Sequence, residues 1–308
     1  MRDFKNDFSW SISRDSLFRE CKRKYYYNYY GSWGGWERDK ADKVTRTLYV
    51  LKALQNIHMW KGSTVHWEIE RVLKQLVSTG RLTPKDKSAQ RVTELMREQF
   101  RSSREGAYWD KQGSLKNEIA LFEHEYKINT PNETWKRNYD DVIVCLRNFY
   151  NSEVLGRINK LPKKSVISIE SMTAASLSFS PEIIFVKLDL AVKSGEGIEI
   201  VDWKTGKAQS DELQFRVYTL FANEEYDLPP DEITVSEINL MSNETYNHTY
   251  SPRELIEAQD YINKSIENMK CMLTDPEENT AVMTDFPRTE NERICESCKF
   301  KKICFDLA

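Results

Sequence analysis

Phe185-Val186-Lys187-Leu188-Asp189-Leu190-Ala191-Val192, the turn Ser194-Gly195-Glu196-Gly197, and Ile198-Glu199-Ile200-Val201-Asp202-Trp203-Lys204-Thr205-Gly206-Lys207 form the stretch that decides the fold. Two β-branched runs on either side of a Gly-containing turn predict an antiparallel hairpin. Side chains repeat every two residues along a strand, so Asp202 and Lys204 share a face, and the neighbouring strand can set Asp189 beside them. Two adjacent carboxylates repel, and one resists ionisation unless a cation lies between them. Hard oxygen ligands with room for water suit Mg²⁺ or Mn²⁺. A lysine beside such an ion can position an attacking water or help to deprotonate it. An Asp-x-Lys met alone is more simply the polar side of an edge strand.

Around the hairpin the pattern is mainly helical. Leu17, Cys21, Tyr25 and Tyr29 recur every four residues and predict a first helix, capped by Ser13 or Asp15 and ended by Gly31-Ser32-Trp33-Gly34-Gly35. A second helical block covers about 45–78 with an interruption at Lys61-Gly62-Ser63. A third runs from Pro84 to about Tyr150, with breaks near Gly113 and Pro131. Val166–Glu170 reads as a strand, Glu212–Ala222 as a helix, Ile233–Leu240 as a strand and Pro252–Leu273 as a helix. The expected fold is one α/β core, a small sheet flanked by helices, carrying a long helical insertion at 80–160.

The chain of 308 residues is 40% hydrophobic and 30% charged, which excludes a disordered chain and is enough to bury a large core. A net charge of −3 gives no global nucleic-acid signature, but its distribution is lopsided. Residues 1–60 carry net +5 and residues 207–290 net −12. Such a field can draw a polyanion to one end, although an acidic solvated face serves solubility equally well. No apolar run approaches the roughly 18 residues of a membrane span. Met1-Arg2-Asp3-Phe4-Lys5-Asn6-Asp7 offers no apolar segment for a signal peptide. These features predict a soluble, cytoplasmic protein.

Three of the six cysteines lie in Cys295-Glu296-Ser297-Cys298-Lys299-Phe300-Lys301-Lys302-Ile303-Cys304, a C-x2-C-x5-C pattern. Three thiolates leave a tetrahedral metal or a cluster one ligand short, and both Zn²⁺ and an iron–sulfur cluster accept four thiolates. Cys145 and Cys271, in helical apolar settings, read as small core residues.

The hairpin resembles the core of the PD-(D/E)XK nuclease superfamily, and most closely the RecB-like exonucleases with their CRISPR-associated and AddB-type members. The family's catalytic Asp, acid and Lys fall on Asp189, Asp202 and Lys204, with Asp202 where Glu is commoner. Gly62-Ser63-Thr64-Val65-His66 resembles the upstream G-x-x-x-H element, which implies His66 as a metal ligand; a buried or helix-capping histidine is the simpler reading. Gln214-Phe215-Arg216-Val217-Tyr218 resembles the Q-x-x-x-Y motif, whose two polar residues share a helix face and are expected to meet the DNA backbone. The cysteine tail resembles that branch's ending, and Cys21, in Glu20-Cys21-Lys22-Arg23-Lys24, matches its upstream fourth ligand to a [4Fe–4S] cluster, with Zn²⁺ the lesser alternative.

The resemblance therefore implies a single RecB-like nuclease domain over 1–308, with a helical insertion at 80–160 and a tail at 280–308 closing an iron–sulfur site on Cys21. His66, Asp189, Asp202 and the Trp203 carbonyl would hold Mg²⁺ or Mn²⁺, and Lys204 would activate water. The implied activity is exonucleolytic, on single-stranded or end-processed DNA, in repair, CRISPR adaptation or phage defence. Lys22, Arg23 and Lys24, with Lys299–Lys302, would form a basic ridge for phosphates. No G-x4-G-K-[ST] motif occurs, so unwinding would fall to a separate helicase or defence partner. Two other classes fit parts of the pattern: a non-catalytic DNA-end-binding module, and a zinc-stapled scaffold.

Overall fold

The hairpin forms where its alternation requires it, and the sheet grows outward from it. The computed structural model describes residues 5–115, 118–206 and 212–306. Helices come first: α1 (Ile12–Glu20), α2 (Lys22–Tyr26), a π-helical turn at Tyr27–Gly31, and α3 (Lys43–Lys52). The two-residue strand β1 (Leu54–Gln55) leads into the long α4 (Ile57–Thr79), followed by α5 (Lys85–Glu105). Next come β2 (Ala120–Leu121), α6 (Phe122–Glu125), α7 (Asn132–Asn151) and α8 (Glu153–Ile158). The sheet strands β3 (Val166–Ala175), β4 (Ile184–Ser194) and β5 (Gly197–Lys204) precede α9 (Glu212–Glu225). Strands β6 (Ile233–Asn239) and β7 (Glu244–His248) then lead to α10 (Pro252–Lys270), and α11 (Glu292–Glu296) and α12 (Lys301–Asp306) follow.

The strands lie in the order β3-β4-β5-β6-β7. Within this five-stranded sheet β5 and β6 run parallel, because α9 carries the chain across between them, and the other neighbours are antiparallel. Residues of α9 and α10 join Trp10, Phe18 and Tyr25 in a core that includes Ile184, Val186, Leu188, Ile198 and Ile200. A second core packs α4, α5, α7 and α8 against Leu190, Val192, Val201 and Trp203. This is the expected α/β arrangement, a small mixed sheet flanked by helices.

The two cores expose a feature that simple alternation does not predict. Ile184, Val186 and Leu188 belong to one core, whereas Leu190 and Val192, two and four residues on, belong to the other. The strand shifts phase at Asp189. The β4–β5 pairing runs from Ser194↔Gly197 to Leu190↔Val201 and stops there. Where β5 leaves, Trp10 takes its place along β4: its N–H donates to the Ile183 carbonyl at 2.8 Å, and its carbonyl accepts from Phe185 N–H at 2.8 Å.

Several boundaries differ from the expectation for local reasons. The expected interruption at Lys61-Gly62-Ser63 is absent, since α4 starts at Ile57 behind Asn56, whose side chain accepts from His58 N and Met59 N. Gly62 lies inside α4 because a Cβ there would come within 3.3 Å of Thr205 Oγ1. The first helix is capped by Ser11, and it breaks at Cys21, whose backbone is extended (φ −163°, ψ 116°). Cys145 is fully buried as expected, but Cys271 is exposed at the end of α10 and is not a core residue.

Helix α4 is fixed by two ion pairs, each with its α4 partner buried and the other partner partly exposed. Glu68, wholly inaccessible, receives the Arg91 guanidinium of α5, with Nε to Oε2 at 3.1 Å. Lys61 Nζ reaches Asp141 Oδ2 of α7 at 3.0 Å. Removing one partner of a buried pair leaves an uncompensated charge, so Arg91→Ala should cost about 3–5 kcal/mol in urea unfolding. Glu68→Met combined with Arg91→Leu should recover most of that loss, because apolar packing can replace a buried pair of similar volume.

Candidate active site

Asp189 and Asp202 face one another at the point where the hairpin ladder ends. The Asp189 carboxylate accepts Trp203 N–H at 2.9 Å, so a side chain replaces the strand carbonyl that the ladder would have supplied. From α4, His66 Nδ1 approaches Glu170 Oε1 at 2.9 Å and Asp189 Oδ1 at 3.4 Å. Its Nε2 lies 3.0 Å from the Trp203 carbonyl. Ligand atoms of His66, Glu170 and Asp189 all fall within 4.8 Å of one another.

Asp202 stands on the other side of this group. Lys204 Nζ is 2.7 Å from its Oδ2, and Tyr218 OH donates to its Oδ1 at 3.1 Å. The buried Oδ2 thus has the Lys204 ammonium as its partner. Lys204 Nζ also donates to Gln214 Oε1 at 3.0 Å, and Gln214 Nε2 donates to Tyr218 OH at 2.5 Å. Gln214 and Tyr218 thus brace Lys204 and Asp202 from α9. The helix face expected to meet a DNA strand instead meets the carboxylate and the ammonium, and Tyr218 is buried.

The electrostatics follow from the crowding. Burial, then the neighbouring Asp189 charge, pushes Asp202 up to about 6, against the pull of Lys204. Burial would also raise Asp189, but the adjacent His66 holds it below the usual carboxylate range. For His66, burial opposes the charge, yet Asp189 and Glu170 outweigh it and raise the imidazole well above its ordinary value. Three carboxylates and an imidazole gathered in a buried space, with the ligand atoms of His66, Glu170 and Asp189 close together, suit a hard divalent cation.

Glu170 was not singled out from the sequence. It adopts φ +47°, a left-handed conformation unusual for a strand residue with a long side chain, and its other oxygen pairs with Lys187 at 2.5 Å. The register Ile169↔Leu190 and Ser171↔Leu188 places it opposite Asp189. An acid closing the run Val166–Glu170 was its only trace in the sequence, with no spacing motif to mark it.

Cys21, Cys295, Cys298 and Cys304 line one cavity with Arg23, Lys24 and Arg288. Burial pushes the Cys298 thiol up to about 11 and raises the Cys295 thiol. The expected basic ridge gathers around this cavity, but most of its charges have internal partners. Lys24 pairs with Glu20 at 2.8 Å, Arg23 Nε donates to the Phe286 carbonyl at 2.7 Å, and Lys299 Nζ to the Lys52 carbonyl at 2.7 Å. Lys302 pairs with Glu125, and Lys301 Nζ donates to the Glu296 carbonyl at 3.0 Å. Lys22 is exposed.

A mixed sheet bearing two carboxylates, an Asp-x-Lys and a histidine at one ladder end is the arrangement of a divalent-metal nuclease. The family model of the PD-(D/E)XK nuclease superfamily matches residues 9–305, and the chain belongs to that superfamily. No curated protein matches the chain. Among the described residues, no helix is long and apolar enough to cross a membrane.

Two outcomes follow from the geometry. Glu170→Gln should weaken Mn²⁺ binding about 10- to 100-fold in calorimetry. Asp202→Asn should stabilise the metal-free protein at neutral pH by roughly 1–3 kcal/mol, because it mimics the protonated form that the fold prefers. A raised folded-state pKa confers stability that is fully present below the unfolded value and lost as pH rises through about 6. The advantage of the variant should therefore be complete above that pH and vanish below about 4. Denaturant titrations in EDTA across this range measure it.

Proposed function

We propose that the chain is a Mg²⁺- or Mn²⁺-dependent deoxyribonuclease of the RecB-like branch, an exonuclease acting on single-stranded or end-processed DNA. The observation that carries this reading is the Lys204 ammonium, held between Asp202 and Gln214 at 2.7 and 3.0 Å beside the His66–Glu170–Asp189 group. His66, Glu170, Asp189 and Asp202, with the Trp203 carbonyl, would hold the cation. When bound, it supplies Lewis-acid charge at the phosphate and lowers the pKa of water. Lys204 orients the attacking water and offsets negative charge growing on the phosphate. Tyr218 and Gln214 keep Asp202 and Lys204 aligned.

In this reading residues 1–308 work as one nuclease domain, residues 80–160 are an insertion within it, and residues 280–308 close a [4Fe–4S] site on Cys21. Support comes from the four thiols around one cavity and from the C-x2-C-x5-C sequence spacing of three of them. Arg23, Lys24 and Arg288 at the cavity would offset the thiolate charge. Duplex unwinding belongs to a partner helicase or a defence complex, and the partner polymer is DNA.

End-labelled linear DNA and circular DNA, each with and without Mn²⁺, test the reading. Linear DNA should be degraded only with the metal. Lys204→Ala should lower the rate by several orders of magnitude, since metal-site chemistry contributes several kcal/mol and each ~1.4 kcal/mol is tenfold. Equal cleavage of circular DNA would overturn the exonuclease assignment, and wild-type rates in Lys204→Ala would overturn the site. End binding without cleavage would leave the non-catalytic module. Anaerobically purified Cys21→Ala should lose iron and acid-labile sulfide while Lys204→Ala keeps both; stoichiometric zinc without sulfide would refute the cluster.

A further inference from the structure

Helices α5 and α7 enclose a groove of about 500 Å³ that lies outside the carboxylate site. Its lining is of two kinds. Trp60, Phe100, Trp135 and Tyr139 supply aromatic surface, and Arg97, Arg101 and Arg104 supply charge. The rings form one assembly: Phe100 and Trp135 meet edge to face at 5.1 Å, and Trp60 and Trp135 at 6.3 Å. Trp60 Nε1 is anchored on Gln99 Oε1 at 2.7 Å, and the Tyr139 hydroxyl lies 2.9 Å from Thr93 Oγ1. These contacts hold the rings in place from behind. Phe100, Trp135 and Tyr139 remain only partly buried.

The arginines recur at i, i+4 and i+7 along one face of α5 and are exposed. Among the described residues, none of the three has a carboxylate within 4 Å, whereas Lys24 and Lys302 near the cysteine cavity each pair with one. Flat π surface bordered by unpaired guanidinium groups is the chemistry of a single-stranded nucleic acid platform, where bases stack and phosphates meet charge. A duplex keeps its bases stacked on one another and cannot offer them to such a floor. The groove also adjoins the site through one rigid element. Trp60 precedes His66 by six residues on α4, about 9 Å along the axis, and between them Gly62 packs beside Thr205.

We infer that the α5–α7 groove binds the unpaired strand of the DNA substrate, stacking bases against Trp135 and Phe100 and holding phosphates with Arg97, Arg101 and Arg104. This rests on reading the chain as a DNA nuclease, and it assigns a role to the segment 80–160 that the sequence leaves without one.

Binding of a fluorescein-labelled oligothymidylate in EDTA tests the groove without cleavage, while Mn²⁺-dependent degradation by the same preparation tests the nuclease reading separately. The triple variant Arg97→Gln, Arg101→Gln, Arg104→Gln should weaken strand binding at least tenfold and flatten the log–log salt slope by about 2, near 0.7 per phosphate contact. Trp135→Ala should weaken it about tenfold. Trp135→Phe, which preserves an aromatic face, should keep most of the affinity but lose part of the tryptophan quenching that the strand causes. Duplex affinity should change little in all three. Unchanged strand affinity and salt slope in the triple variant, with quenching intact in Trp135→Phe, would overturn the inference even if degradation is normal. So would a wild-type protein that ignores the strand in EDTA but shows Trp135-dependent quenching by an acidic peptide, which would make the groove a protein-docking surface.

Discussion

One hydrogen bond, from the Trp203 N–H to the Asp189 carboxylate, sets the geometry of everything around the site. A regular hairpin would have continued its ladder past Leu190↔Val201. By taking over a backbone partner, the Asp189 side chain lets β4 change phase and β5 diverge. The divergence leaves space into which α4 delivers His66 and α9 delivers Gln214 and Tyr218. Farther along the freed edge of β4, Trp10 supplies two backbone hydrogen bonds, to Ile183 and Phe185.

The site is made of groups that a fold alone would avoid. Two nearly buried aspartates stand side by side, and Glu170 holds a left-handed backbone. Each disfavours the native state, and each is tolerated because the surrounding elements are over-determined. Helix α4 is pinned by Glu68–Arg91 and Lys61–Asp141, while α9 is packed through Phe215, Phe221 and Ala222. Rigidity in these supports is what allows ligand atoms from three distant segments to stay within hydrogen-bonding distance.

Much of this was legible in the sequence where the signal is local. The hairpin, Asp202 and Lys204 on one face, and Gln214 and Tyr218 one turn apart follow from strand and helix periods. The thiols around one cavity follow the spacing of the tail and the family resemblance of Cys21. Glu170 could not be read in this way, because its partners His66 and Asp189 are fixed by tertiary packing and by a positive φ that a strand pattern does not announce. The unbroken α4 was missed because Gly62 is a helix breaker by propensity, whereas its role is to let Thr205 approach. Cys271 was misjudged since an apolar neighbourhood along a helix does not say which side of its last turn faces solvent. The ridge of Lys and Arg was visible as charge, but charge counts cannot show that Lys24, Lys299 and Lys302 are already engaged inside the molecule.

The way the N-terminal segment is held also has a consequence for the order of events during synthesis. Trp10 Nε1 donates to Ser265 Oγ at 3.1 Å, and Asp15 accepts from the hydroxyls of both Ser265 and Tyr261. These partners are about 250 residues apart. At roughly 5–20 residues per second, ribosomes need on the order of 10–50 s to make that interval. Over this time α1 has no lasting place to dock, and the stretch of β4 at Ile184–Phe185 can pair with Trp10 but cannot yet be locked by α10. A β4 edge paired with Trp10 before α10 is made would lack the Ser265 and Tyr261 hydroxyls that hold the N-terminal segment in the finished fold.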